Sequence, residues 1–194
     1  MKSVEHSRAA RGLTGILLVA GVGIGMARAA EPAQDERTIA VADGRITLVA
    51  PEGWVRKQPA TRIVDFEFAA PAAEGDTTGG RLTVMGAGGS VEANIDRWIG
   101  QFSQPDGTST RDRAVIEQLQ IAGQKVHRID ISGTYDDRPG PFAPAVQREQ
   151  YRMLAAIVVT ENLGQYFLKF YGPRRTIAAQ EDAFQKLLES LTVK

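Results

Sequence analysis

The most apolar part of the chain is two runs, 151–160 and 165–171, separated by Glu161-Asn162-Leu163-Gly164. Both runs are rich in β-branched and aromatic residues and are bounded by Asn and Gly, the pattern of a β-hairpin. Pairing Thr160 with Gln165 sets Val159 opposite Tyr166, Ile157 opposite Leu168 and Ala155 opposite Phe170. The other face then carries Leu154, Ala156 and Val158 with Phe167, Lys169 and Tyr171, and it too is mostly apolar. A sheet wetted on one side alternates apolar with polar residues. This hairpin is therefore expected at the centre of a sheet covered on both faces.

The rest of the chain reads as elements around that centre. Runs 38–42 and 45–49 flank Asp43-Gly44, a type I′ turn signal that sets Val41 opposite Ile46 and Ile39 opposite Leu48. Pro51-Glu52-Gly53 breaks the second strand, and Trp54 is expected to fold back into the core. Segment 62–68 alternates, with Val64, Phe66 and Phe68 on one side, and predicts a half-buried strand. Segment 69–80 (AAPAAEGDTTGG) reads as a surface loop, and 81–85 as a short strand. Ser90 is placed to cap a helix whose apolar face is Val91, Ile95, Trp98, Ile99 and Phe102, ending at 104–107. Strands 115–121 and 124–135 join at Ala122-Gly123, pairing Leu119 with Val126 and Glu117 with Arg128. Segment 136–147 (DDRPGPFAPAVQ) holds three prolines and is read as irregular. Thr176 is placed to cap a last helix with the stripe Ile177, Phe184, Leu187, Leu188 and Leu191. Short connections make neighbouring strands antiparallel. The fold class is α+β: an antiparallel β-sheet of about seven strands sandwiched by α-helices in three layers.

Three features together have a familiar order. The first is the hairpin ending in Pro51-Glu52-Gly53-Trp54. The second is the helix Ala93-Asn94-Ile95-Asp96-Arg97-Trp98 before Gln101-Phe102. The third is the late aromatic hairpin with a terminal helix carrying Phe184 and Leu187. The arrangement resembles the PsbP-like superfamily, which includes Mog-type proteins and small exported bacterial proteins of the DcrB type. The resemblance implies the same helix-covered antiparallel sheet, and proteins that bind or assist others rather than catalyse. It carries no functional motif onto individual residues, because one fold hosts many functions.

Composition adds a compartment. Lys2, Arg8 and Arg11 precede an apolar, glycine-rich stretch, 13–26, and Ala27-Arg28-Ala29 places small residues where a signal peptidase reads. Residues 1–29 are thus expected to be a Sec-type signal peptide, 30–37 a disordered start, and 38–194 a single domain that is periplasmic or extracellular. The apolar stretch is short for a membrane span, so no stable membrane insertion is expected after cleavage. Without the leader, 23 basic and 23 acidic residues become 19 and 22. That balance gives no electrostatic footprint for nucleic acid. With no cysteine, an exported domain must stand on its apolar core.

Candidate chemistry is sparse. The expected exported chain has one histidine, His127, in mid-strand, no Cys to pair with it and no Gly-x-Ser-x-Gly elbow. No catalytic residue, cofactor or metal site is assigned. Gly86-Ala87-Gly88-Gly89-Ser90 lacks the third glycine of a dinucleotide loop and the lysine of a P-loop, and reads as a turn ending in a cap. Arg174-Arg175 before the last helix could bind an anion, but they would oppose the dipole of that helix, so a solvated face is the plainer reading. Asp136 and Asp137 are candidate calcium or small-ligand carboxylates, with Arg138 beside them to offset their charge. The proline-rich loop is the best binding element. Its prolines limit the entropy lost on contact, and Arg138, Phe142 and Arg148 could form one patch for an envelope or extracellular protein, the alternative being that Phe142 tucks onto the domain as a plug. The functional expectation is an exported, non-enzymatic protein-binding module. A small-ligand or calcium-binding protein is the alternative, and a carboxylate-based hydrolase the third.

Overall fold

The computed structural model describes residues 36–138 and 144–194. In chain order the elements are β1 (Thr38–Val41), β2 (Ile46–Val49), β3 (Val55–Lys57), β4 (Phe66–Ala70), β5 (Gly80–Ala87), α1 (Val91–Ile99), β6 (Phe102–Ser103) and α2 (Thr110–Arg113). They continue with β7 (Val115–Ile121), β8 (Gln124–Asp137), β9 (Val146–Val159), β10 (Gln165–Pro173), α3 (Arg174–Ala179), α4 (Glu181–Glu189) and β11 (Thr192–Val193). The main sheet has eight strands, ordered β3-β4-β5-β10-β9-β8-β6, with β7 also paired to β8. Every pairing is antiparallel. The β1–β2 hairpin forms a separate small sheet with β11.

The central hairpin, β9 and β10, lies in the middle of the main sheet, and residues 153–158 are buried without interruption. One face of the sheet packs Ile129, Ile131, Met153, Ala155, Ile157 and Phe167 against Ile95, Trp98 and Ile99 of α1. The other packs Leu82, Val84, Leu154, Ala156, Leu168 and Phe170 against α3, α4 and the small sheet. Helices therefore cover both faces, as the doubly apolar hairpin predicts, and the second layer also holds three short strands. Trp98 stands edge-on to Phe167, with ring centroids 5.0 Å apart. Phe170 sits between Trp54 at 4.5 Å and Phe184 at 5.8 Å, so Trp54 is the expected core anchor.

Local chemistry explains both the hits and the misses. The β1–β2 and β7–β8 registers are those expected, because Ala42, Asp43 and Gly44, and Ala122 and Gly123, all take positive φ at tight turns. Ser90 Oγ accepts from Ala93 N and caps α1. The β9–β10 register differs by one residue: Gln165 pairs with Val159, and Leu168 with Ala156. Thr160 is drawn into the turn. Its N–H and hydroxyl both donate to Gly164 O (3.1 and 2.7 Å), and the hydroxyl accepts from Leu163 N at 2.9 Å. A one-residue slip changes which side chains share a face. Leu168 and Phe170 thus join Leu154, Ala156 and Val158, while Lys169 and Tyr171 join Met153 and Ala155.

Other boundaries move too. The strand expected over 62–68 starts at Phe66, and Ile63 is 72% exposed. Asp65 stands in for ladder backbone: its N–H reaches Val84 O at 2.9 Å and its carboxylate accepts from Gly86 N at 3.1 Å. Phe102 leaves the helix and forms β6 against Tyr135, yet stays buried. The last helix is two, α3 and α4, broken at Gln180. Thr176 lies inside α3 and does not cap it. Asp76, from the 69–80 loop, accepts from both Thr176 N (3.0 Å) and Thr176 Oγ1 (2.7 Å) instead.

Candidate functional site

The 136–147 segment, expected to be irregular throughout, is ladder at both ends. Asp136 pairs with Gln147 and Asp137 with Val146. Proline has no N–H to donate, but it leaves the residues flanking it free to pair. β8 and β9 thus form a ribbon of 14-residue strands. Its partner β10 stops earlier, at Pro173 opposite Tyr151. Residues 146–148 of β9 pair with β8 alone among the described residues, and 146–150 are all exposed. A bulge marks the departure. Glu149 and Gln150 oppose the single Thr134, and Gln150 takes φ 54°, a left-handed conformation that costs a side-chain-bearing residue free energy.

At the end of the ribbon, four of the five predicted site residues meet. Arg138 donates to Asp136 Oδ2 from Nε (3.0 Å) and Nη2 (2.9 Å), and Gln147 Nε2 donates to Asp136 Oδ1 at 2.6 Å. Arg148 Nε donates to Asp137 Oδ2 at 3.3 Å. The fifth, Phe142, lies outside the described residues. These half-exposed pairs are each worth about 0–1 kcal/mol. They set side-chain geometry more than stability. A cation arriving at Asp136 or Asp137 would have to displace a guanidinium. Among the described residues, no group of three or more His, Cys, Asp or Glu side chains is placed to hold a metal ion.

Other residues singled out from the sequence take plain roles. His127 is half-buried in mid-ladder between Gln118 and Ile157. The glycine-rich turn before α1 has its carbonyls engaged: Asn94 Nδ2 donates to Gly88 O and Ser90 O, and Gln165 Nε2 to Gly89 O. Arg128 makes the expected cross-strand pair with Glu117 at 3.2 Å, and also reaches Glu181 at 3.1 Å.

Two features are additional. A groove of about 660 Å³ runs beside the unpaired β9 edge, walled by 75–78 and 173–175. Arg174 and Arg175 there are exposed and bond no carboxylate among the described residues. The sequence signal for it was the Arg174-Arg175 pair itself, a candidate anion site set against the dipole of the helix that follows. The second is Lys169, within the aromatic strand β10. Its Nζ donates to Gln101 Oε1 at 3.0 Å and lies 5.9 Å from the Tyr135 ring and 5.3 Å from the Tyr171 ring. Burial, aided by the charges of Arg97 and Arg81, pushes the Lys169 ammonium down to about 8. Burial likewise raises the Tyr135 and Tyr171 hydroxyls above the ordinary phenol range. Arg81 ties Tyr171 to Glu67, donating to the Tyr171 hydroxyl and, from Nε, to Glu67 Oε1 at 2.9 Å.

No family model matches the chain, and no curated protein matches it. Among solved structures, LpqN of Mycobacterium tuberculosis, described as involved in cell envelope biogenesis, is similar with a TM-score of 0.51 at 12% identity, covering 81% of this chain and 89% of that one. Cyanobacterial PsbP (CyanoP) from Synechocystis sp. PCC 6803 aligns with a TM-score of 0.49 at 11% identity, covering 81% and 91%. At this identity a likeness speaks to fold and not to activity. The chain has a PsbP-like α+β fold, an antiparallel sheet between helical layers.

Proposed function

We propose that this protein is an exported, non-enzymatic accessory module of the cell envelope that docks another protein through the end of the β8–β9 ribbon. The observation that carries the reading is the ribbon's overhang: five exposed β9 residues run past the end of β10, and Arg148 among them and Arg138 at the end of β8 are each braced by a carboxylate. The rest of the ribbon is fixed in the core, so the overhang is held in place before any partner arrives, which lowers the entropic cost of docking. The envelope setting is supported by the fold shared with LpqN and by the leader-like start of the chain. Among the described residues no helix is long and apolar enough to cross a membrane. His127 bonds no carboxylate or hydroxyl among the described residues, so it offers no support for a hydrolytic centre.

The test is capture of a C-terminally tagged protein from envelope and medium fractions of its source organism, read by mass spectrometry beside Phe142→Ala and Arg148→Ala variants. A protein retained by the parent and lost by the variants supports docking at this end. A partner retained equally by all three overturns the proposed surface. No enriched protein overturns the docking reading itself.

A further inference from the structure

We infer that the open 146–150 edge of β9 accepts an extended acidic peptide segment as an added strand, with the segment's carboxylates held by Arg174 and Arg175. This rests on the docking reading above and names the chemistry of the partner.

The edge is open for a stated reason. Pro173 is the last β10 residue opposite β9, lacks an N–H, and at φ −54° turns the chain into α3. Beyond it, β9 has β8 on one side and the groove on the other. In an antiparallel pair, backbone groups alternate between facing the partner and facing away. The overhang therefore turns N–H and C=O groups towards the groove. Strand addition to such an edge supplies affinity through backbone bonds and specificity through side-chain sites beside it. At about 3.3 Å per residue, the three paired residues ahead of the bulge offer roughly 10 Å of regular edge.

The opposite wall is built and rigid. Thr176 holds Asp76 through two hydrogen bonds and accepts from Ala73 N at 3.0 Å, fastening the 73–76 turn to α3. Arg175 lies on Gly75. A Cβ at that position would come 2.8 Å from Arg175 Nη1, and Gly75 takes φ +85°. The guanidinium thus rests on a position that only glycine suits.

Charge decides what enters. Asp76 is occupied by Thr176, and Arg148 by Asp137. Arg174 and Arg175 are left with no carboxylate partner among the described residues, beside the hydroxyl-bearing Thr77 and Thr78. A guanidinium prefers a carboxylate in bidentate geometry, and a strand delivers one at every second residue. Glu149, on the edge itself, repels an acid placed directly beside it. The favoured segment is therefore acidic on the face towards α3 and neutral along β9.

The probe is a fluorescein-labelled heptapeptide alternating valine with aspartate, titrated by anisotropy against the purified protein at low and at physiological salt. Controls are the same peptide with lysine for aspartate and one N-methylated on alternate backbone nitrogens. Binding of the acidic peptide, at least tenfold weaker in Arg174→Ala/Arg175→Ala and abolished by N-methylation, supports the inference. Both arginines are exposed, so the double variant is expected to melt as the parent does. Binding indifferent to N-methylation overturns strand addition, and binding indifferent to the arginines overturns the assigned site. No binding overturns both, as does self-association of the protein that Val146→Pro abolishes. A captured partner lost with Phe142→Ala yet retained by the double arginine variant would leave docking standing and remove this inference. Peptide binding without any captured partner would do the reverse.

Discussion

Lys169 is the residue whose chemistry departs most from its sequence context. It sits in a strand of aromatic and aliphatic side chains, and the one-residue shift in register places it on the α1 side beside Tyr171 and Tyr135. Its hydrogen-bond partner is a neutral amide, so burial of the ammonium is not offset by a carboxylate in contact. The folded value of about 8 lies below the ordinary 10.5. The unfolded chain therefore binds the proton more tightly, and stability rises with pH between those values. The destabilisation is present in full below pH 8 and fades towards the ordinary lysine range. Lys169→Met should melt above the parent at pH 7, with the gap closing towards pH 10. Burial raises both tyrosine hydroxyls, which works against their ionising in the same window. A gap independent of pH in thermal melts would show that methionine acts through packing alone.

At the scale of elements, caps and turns decide where the chain changes direction. Ser90→Ala removes the bond to Ala93 N and is expected to cost about 1 kcal/mol. By differential scanning calorimetry that is a fall of about 2–4 °C in Tm for a domain of this size. Gln150→Gly tests the bulge. It relieves a left-handed side-chain-bearing residue and should stabilise by roughly 0.5–1 kcal/mol, read as a higher urea midpoint with an unchanged slope. A lower midpoint would mean the Gln150 side chain holds the overhang in place. The Asp136–Arg138 and Asp137–Arg148 pairs carry a third expectation. Millimolar calcium should leave the Tm unchanged. A rise that disappears in Asp136→Ala/Asp137→Ala would assign the pair to a metal instead.

At the scale of the whole molecule, Phe170 joins the layers. Its ring is fully buried between Trp54 and Phe184, so one side chain ties the main sheet to the β2–β3 connection and to α4. Phe170→Ala should cost about 3–5 kcal/mol by equilibrium denaturation. A loss below about 1 kcal/mol would mean that the layers close over the vacated space.

What the sequence by itself determined was most of what short range governs. The Thr160 turn, whose hydroxyl bonds Leu163 and Gly164 and shifts the central register by one residue, is the local exception. Asp43-Gly44 and Ala122-Gly123 set two registers because each turn's backbone admits few alternatives. Ser90 set a helix start, and the doubly apolar hairpin announced a sheet covered on both sides. Asp136, Asp137, Arg138 and Arg148 were each singled out in the sequence, but with 136–147 read as irregular their pairing was not: only the continued β8–β9 ladder sets Arg148 beside Asp137. Tertiary structure alone decided the rest. Asp76, 100 residues from Thr176, took over the capping of α3. The groove exists only because β10 ends before β9 and the 75–78 turn folds beside it. Those outcomes depend on hydrogen bonds and strand ends brought together from distant parts of the chain. No window of neighbouring residues records such long-range geometry.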